Sequence, residues 1–178
     1  MSALKSSIVD NLDEEFYQIS PDILASFPRF RPPLNLFIFK ESVAQIQPYR
    51  KAGARMDQAV QDELAALTAE GNIFVARSDH PIYATHIAKQ LDLVLVDRNL
   101  KEAEIAEVFT VALTDRLNEF FEQPVQVVFD TLYRDLMVLT EYLFTDKARI
   151  KSLVRRLHRN HTLPNHAFDS AIVGLWLL

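Results

Sequence analysis

Residues 101–145 read KEAEIAEVFTVALTDRLNEFFEQPVQVVFDTLYRDLMVLTEYLFT, and their periodicity decides the architecture. Ile105, Val108, Phe109, Ala112, Leu113, Leu117, Phe120 and Phe121 fall on one stripe, while Glu102, Glu104, Glu107, Asp115 and Glu119 lie mostly off it. The spacing predicts an amphipathic helix of about five turns. Pro124 restarts the chain, and Val125, Val128, Phe129, Leu132, Leu136, Leu139 and Leu143 make a second stripe, broadened by Tyr133, Met137 and Phe144. Two such helices with a short link pack naturally as antiparallel neighbours. Glycine is absent from Lys101 until Gly174, and a third, shorter helix is expected over Ile150, Leu153, Val154 and Leu157, ending at His158-Arg159-Asn160.

Upstream, to about residue 100, the punctuation is denser and the period shifts. Phe16-Tyr17-Gln18-Ile19 is extended in character, and Ser20-Pro21-Asp22 supplies a cap, a first-turn proline and an early acid for a short helix ending before Pro28. Arg31-Pro32-Pro33 blocks helix, and Leu34-Asn35-Leu36-Phe37-Ile38-Phe39 is the strongest strand. Ala44 to Tyr49 carries Pro48 and reads as an edge strand, since proline cannot donate to a ladder. Asp57 caps a helix through Ala59, Val60, Leu64 and Leu67 that Gly71 stops in a left-handed conformation. Asn72 to Ala76 reads as a strand, and Ser78 as the cap of a helix with Pro81 in its first turn, running towards Leu91. The fold class is therefore α+β: a small α/β domain with a mixed sheet over 1–100, a helical connector or bundle over 101–160, and one further helix over 161–178.

Composition narrows the chemistry. In 178 residues, 49% are hydrophobic and 24% charged, which supports a substantial core and excludes a disordered chain. A net charge of -5 argues against nucleic acid as a partner. With no cysteine there is no disulfide, thiolate nucleophile or thiolate metal site. The opening MSALKSSIVDNLDEEF lacks a signal peptide's apolar core, no apolar run approaches the length of a membrane span, and the chain reads as cytoplasmic with no membrane expected. Asn160-His161-Thr162 is then a chance match to a glycosylation triplet. Three glycines, Gly53, Gly71 and Gly174, fit neither a mononucleotide loop nor a Rossmann fingerprint, and no serine sits in a nucleophile elbow.

Five histidines remain. His80 and His86 read as ordinary helix residues. His158 and His161 have ligand spacing, but Asn160 and Pro164 break the helix and no carboxylate sits at matching spacing, so solvated side chains explain them better. Six cations and no acid between Lys147 and Arg159 make a local positive face, read first as a solvated helix face and second as a surface for a phosphorylated ligand, an acidic partner or an anionic membrane. Phe37 with Phe39, and Phe120 with Phe121, could offer a stacking platform and are better explained by packing. No residue acquires a catalytic or cofactor-binding role.

After Pro164, Asn165 is positioned to cap a helix, His166-Ala167-Phe168-Asp169-Ser170-Ala171-Ile172-Val173-Gly174-Leu175-Trp176-Leu177-Leu178, in which only Asp169 is charged. A helix apolar around its last two turns belongs inside a helical core, so the chain is expected to continue beyond Leu178. Thr162-Leu163-Pro164-Asn165-His166-Ala167, followed by Ala171, resembles the segment that opens the catalytic domain of HD-GYP and related HD-domain phosphohydrolases. There a Thr-containing turn leads to a helix starting His-Ser; here Ala167 stands in the Ser position. The resemblance implies that His166 is the first ligand of a metal centre, iron or manganese, in the full-length protein, with no cofactor held by residues 1–178 alone. It implies that the family's His-Asp pair and Gly-Tyr-Pro signature lie downstream. Residues 1–178 would then be the non-catalytic regulatory or interaction module of a cyclic di-GMP phosphodiesterase. Its partners would be the downstream catalytic domain and, through the helices, a second copy. A homodimeric scaffold using the apolar last helix, and a truncated membrane protein, are the competing readings.

Overall fold

The computed structural model describes residues 15–40, 42–43 and 45–177, in two compact units that divide between Tyr83 and Ala84. The reading of the opening segment through residue 14, and of Ala44 and Leu178 as element members, lies outside the described residues. The class is α+β, with a four-stranded sheet followed by helices. No helix of the described residues is long and apolar enough to cross a membrane.

The first unit runs β1 (Phe16–Gln18), α1 (Pro21–Ser26), β2 (Leu36–Lys40), β3 (Gln45–Arg50), α2 (Gln58–Ala69) and β4 (Ile73–Ala76). Strand order is β1-β4-β2-β3, and every pairing is antiparallel, which corrects the expected mixed sheet. The reason lies in the connections. β1 and β2 both run antiparallel to β4, and β3 and β4 both run antiparallel to β2. Each helix thus joins two strands of like direction with another strand inserted between them, so no parallel pair is hydrogen-bonded.

Local chemistry matches the sequence closely here. The Ser20 hydroxyl accepts from the Ile23 amide, and the Asp57 carboxylate from that of Val60 at 2.9 Å. Pro48 sits on the edge strand beside the irregular register at Leu36/Phe37, where its missing N–H leaves no central ladder incomplete. Gly71 turns at φ +78, the conformation that a side chain resists, and its carbonyl accepts from the Gln18 amide at 2.5 Å. Tyr17, Leu36, Ile73 and Val75 are buried, with Ile23 and Leu64 from the two helices and Phe27 just past the end of α1. The alternate positions Phe16, Phe37, Phe39 and Phe74 are half-buried, and Phe16 meets Phe37 edge-on at 4.9 Å. Asp79, in the 3-10 turn Arg77–Asp79, accepts from the Asn35 backbone and side chain at 3.3 and 3.0 Å, tying that turn to the entry of β2.

Ser78 falls inside this turn rather than capping a helix. α3 (His80–Ile87) starts after it and stops short of Leu91, because tight turns closing on His86 and Ile87 take over before α4 (Leu93–Val96). The second unit is then built on α5 (Glu102–Glu122) and α6 (Gln126–Thr145), followed by α7 (Ile150–Val154) and α8 (Leu163–Leu177). α5 and α6 are antiparallel, as the pairs Phe109 with Tyr142, Arg116 with Asp135 and Phe120 with Phe129 require. Their burial departs from expectation. In α6 only Val128, Leu132, Asp135, Leu139 and Tyr142 are buried, and Val125, Phe129, Tyr133, Leu136, Met137 and Phe144 are exposed. Its apolar arc is wider than one neighbour covers. α7 is shorter than expected, the chain reaching Leu157 through turns.

Tyr142 is buried with its hydroxyl unpartnered among the described residues, and Arg149 stacks 4.4 Å over its ring. Burial pushes the phenol up to about 12; Arg149 pulls it down, and Glu102 and Asp146 raise it further. An unfolded tyrosine ionises near pH 10. The unfolded state therefore binds fewer protons than the native one between about pH 10 and 12, and stability present below that window is lost as pH rises through it. Urea unfolding followed by circular dichroism should show a smaller alkaline loss for Tyr142→Phe. At pH 7 the variant should change stability by less than about 1 kcal/mol, because no hydrogen bond is given up. An alkaline loss identical to that of the parent would contradict this account.

Candidate functional site

The first unit holds a groove of about 290 Å³ between α1 and α2. Pro21, Leu24 and Pro28 form one wall and Leu64 and Ala65 the other, with Met56 between the two segments in sequence. Arg29, Gln61 and Asp62 bring polarity to this lining. The Asp62 carboxylate accepts from Gln58 at 2.9 Å, while the Gln61 side-chain nitrogen is buried with no partner among the described residues. An apolar cleft with an amide donor and a nearby guanidinium suits a partly apolar ligand bearing an acceptor. Sequence reading missed it, since α1 contributes three lining residues, α2 six and the chain between them four, and none carries a motif.

The carboxyl-terminal segment places the histidines apart. α8 begins at Leu163, not after Asn165. Thr162 is the cap, its hydroxyl accepting from the Asn165 amide at 3.4 Å and side chain at 2.6 Å, and its carbonyl from the His166 amide at 2.9 Å. Pro164 therefore lies in the first turn, where a helix has no use for its missing N–H. His166 is exposed in that turn. His158 is the one non-glycine residue among those described with positive φ, at 60°, and donates its amide to Asp169 at 2.8 Å. The only charge of α8 is thus buried and spent on the turn that precedes the helix. Pro164, Phe168, Asp169 and Ile172 are buried, whereas Val173, Leu175, Trp176 and Leu177 are exposed. The expectation of a helix enclosed on all sides is met on one side within this chain.

Among the described residues no three His, Asp or Glu side chains come together to hold a metal ion, so His166 alone makes no site. His80 is buried and stacked with Tyr83, and His86 is half-buried. The positive face is partly spent on the fold: Arg149 donates to the Tyr142 carbonyl at 3.0 Å, and Arg156 to Glu107 at 2.9 Å and to the Ala103 carbonyl. Arg149 and Arg156 therefore serve the packing of the helices rather than a free positive face.

No protein-family model matches the sequence, and no curated protein matches it. Among solved structures the chain is similar to Bd1817, a HDG"Y"P protein from Bdellovibrio bacteriovorus, at 10% identity with a TM-score of 0.48. The match covers 90% of this chain and 52% of that one, so this chain spans about half the length of that protein.

The Asp169 carboxylate should be worth more than its place on a helix suggests. Asp169→Ala leaves the His158 amide without its acceptor and should cost about 1–3 kcal/mol in urea unfolding, with Asp169→Asn costing less because an acceptor oxygen remains. Equal stability of the parent and the alanine variant would show that water replaces the bond.

Proposed function

We propose that this chain is the non-catalytic regulatory or interaction module of an HD-type phosphohydrolase, and that the full-length protein is a metal-dependent cyclic di-GMP phosphodiesterase. The division of labour follows the sequence: residues 1–100 receive a signal, residues 101–160 relay it, and residues 161–178 form the first helix of the catalytic domain. The groove between α1 and α2 is the place for a small signal molecule, and packed long helices have discrete alternative arrangements that suit a relay. A single observation carries the reading. His166 stands exposed in the first turn of a helix whose start is fixed by Thr162 and whose last turns leave Leu175, Trp176 and Leu177 uncovered. A ligand histidine needs a firm helix start, and a core helix needs an apolar surface for neighbours that the described residues do not supply. The remaining metal ligands would belong to residues beyond Leu178.

The test is the reading frame beyond Leu178 and the protein it encodes. A His-Asp pair a few tens of residues on is the expected continuation. In that longer protein His166→Ala should lower bound iron or manganese and the hydrolysis of cyclic di-GMP by at least about 10–100-fold, with the circular dichroism spectrum unchanged. A stop codon at that point, or undiminished metal content in the variant, would remove the basis of the proposal.

A further inference from the structure

The exposed apolar residues of α6, Val127 apart, are not scattered. At about 100° per residue, Val125, Leu136, Phe129, Thr140, Tyr133, Phe144 and Met137 fall in that angular order within an arc of roughly 120°. The arc adjoins the face that packs on α5, and all but the half-buried Thr140 are exposed, Phe144 to 85% and Tyr133 to 56%. Phe121, at the end of α5, is exposed beside them, and Phe120, Phe129 and Tyr133 form a chain of ring contacts at 6.0 and 6.2 Å. We propose that this face is a self-association surface, on which α6 pairs antiparallel with α6 of a second copy of the chain.

Two features argue for a second copy. The first is area. Side chains of this kind bury on the order of 150–250 Å² each, and the exposed parts of the stripe amount to roughly 800 Å², about one partner's share of a standard stable interface. The second is charge. The edge of the stripe away from α5 carries Asp130, Arg134 and Glu141, all exposed and alternating in sign. A two-fold axis between antiparallel helices sets an edge against the same edge of the copy. With the axis near the middle of the stripe, Phe129 stands level with Thr140 of the copy and Tyr133 with Leu136. Arg134 then falls between the carboxylates of Asp130 and Glu141 of the copy, within reach of its long side chain. A parallel pairing would instead turn this edge towards the side occupied by Val128, Leu132 and Leu139, whose one charge, Asp135, is buried and already held by Arg116.

The inference does not rest on the phosphohydrolase reading, and its test is separate. Sedimentation velocity of the 178-residue chain should give twice the chain mass at micromolar concentration. Tyr133→Glu with Met137→Glu, both at exposed positions, should raise the dimer dissociation constant on the order of 100-fold with an unchanged circular dichroism spectrum. Leu175→Glu with Trp176→Glu on α8 should leave the dimer intact. Because the chain has no cysteine, orientation can be read by crosslinking: Phe129→Cys combined with Thr140→Cys should form a disulfide between copies under mild oxidation, and neither single variant should. A monomer throughout, a dimer lost only with the α8 substitutions, or efficient crosslinking of the Thr140→Cys variant alone would each overturn the proposal.

Discussion

The helical unit depends on one buried ion pair. Asp135 lies in the middle of the apolar face of α6, 4% exposed, and its carboxylate accepts from the Arg116 guanidinium of α5 at 3.0 Å. A carboxylate so placed is costly without its partner, so the pair permits few alternative arrangements of the two helices. A slide of α5 along α6 by one turn would leave the buried Asp135 with only the exposed Arg134 of its own helix, 3.8 Å away. The aromatic contacts on either side, Phe109 with Tyr142 and Phe120 with Phe129, share this register. The hydrophobic stripes bring the helices together, while the ion pair selects the register. That register in turn decides which α6 residues α5 covers and which stay outside.

Much of the first unit was legible because its chemistry is local. Caps at Ser20 and Asp57, the left-handed stop at Gly71 and the proline on the edge strand each depend on a few adjacent residues, and each appears where the sequence puts it. Strand direction was not legible, since it depends on which strands insert between which, and the sheet came out antiparallel rather than mixed. In the second unit, period identified the helices but not their burial. A stripe from Val125 to Phe144 reads as core whether one neighbour or two cover it, and only the packing shows that α5 covers less than half. Asp135 and Asp169 were unreadable for a related reason. A carboxylate in an apolar helix gives no sign in sequence of whether its partner lies elsewhere on the chain.

The candidate sites divide along the same line. His166 could be singled out only because six residues around it resemble a known segment, and the structure adds that its turn is capped by Thr162, three residues before the Asn165 cap the sequence suggested. The groove between α1 and α2 had no signal at all. Its lining includes Pro21, Pro28 and Pro32, which in sequence serve only as breakers and helix starters, and the orphaned Gln61 nitrogen is an ordinary helix-surface residue until the neighbouring helix is in place.

The two exposed apolar surfaces of the second unit make different demands on whatever covers them. On α8 the uncovered apolar residues, Leu163 apart, gather towards the end of the helix, Val173, Leu175, Trp176 and Leu177, with no ordered charge beside them. Such an end suits enclosure by further helices, which supply apolar contact from several directions and need no charge to orient them. On α6 the uncovered face is long, one-sided and edged by Asp130, Arg134 and Glu141. A charged edge of that kind gives little to a core, where each charge would have to be desolvated, but gives direction to a helix pairing at the rim of an interface. The proposed enclosure of the end of α8 and the proposed pairing along α6 therefore use different surfaces of the same unit.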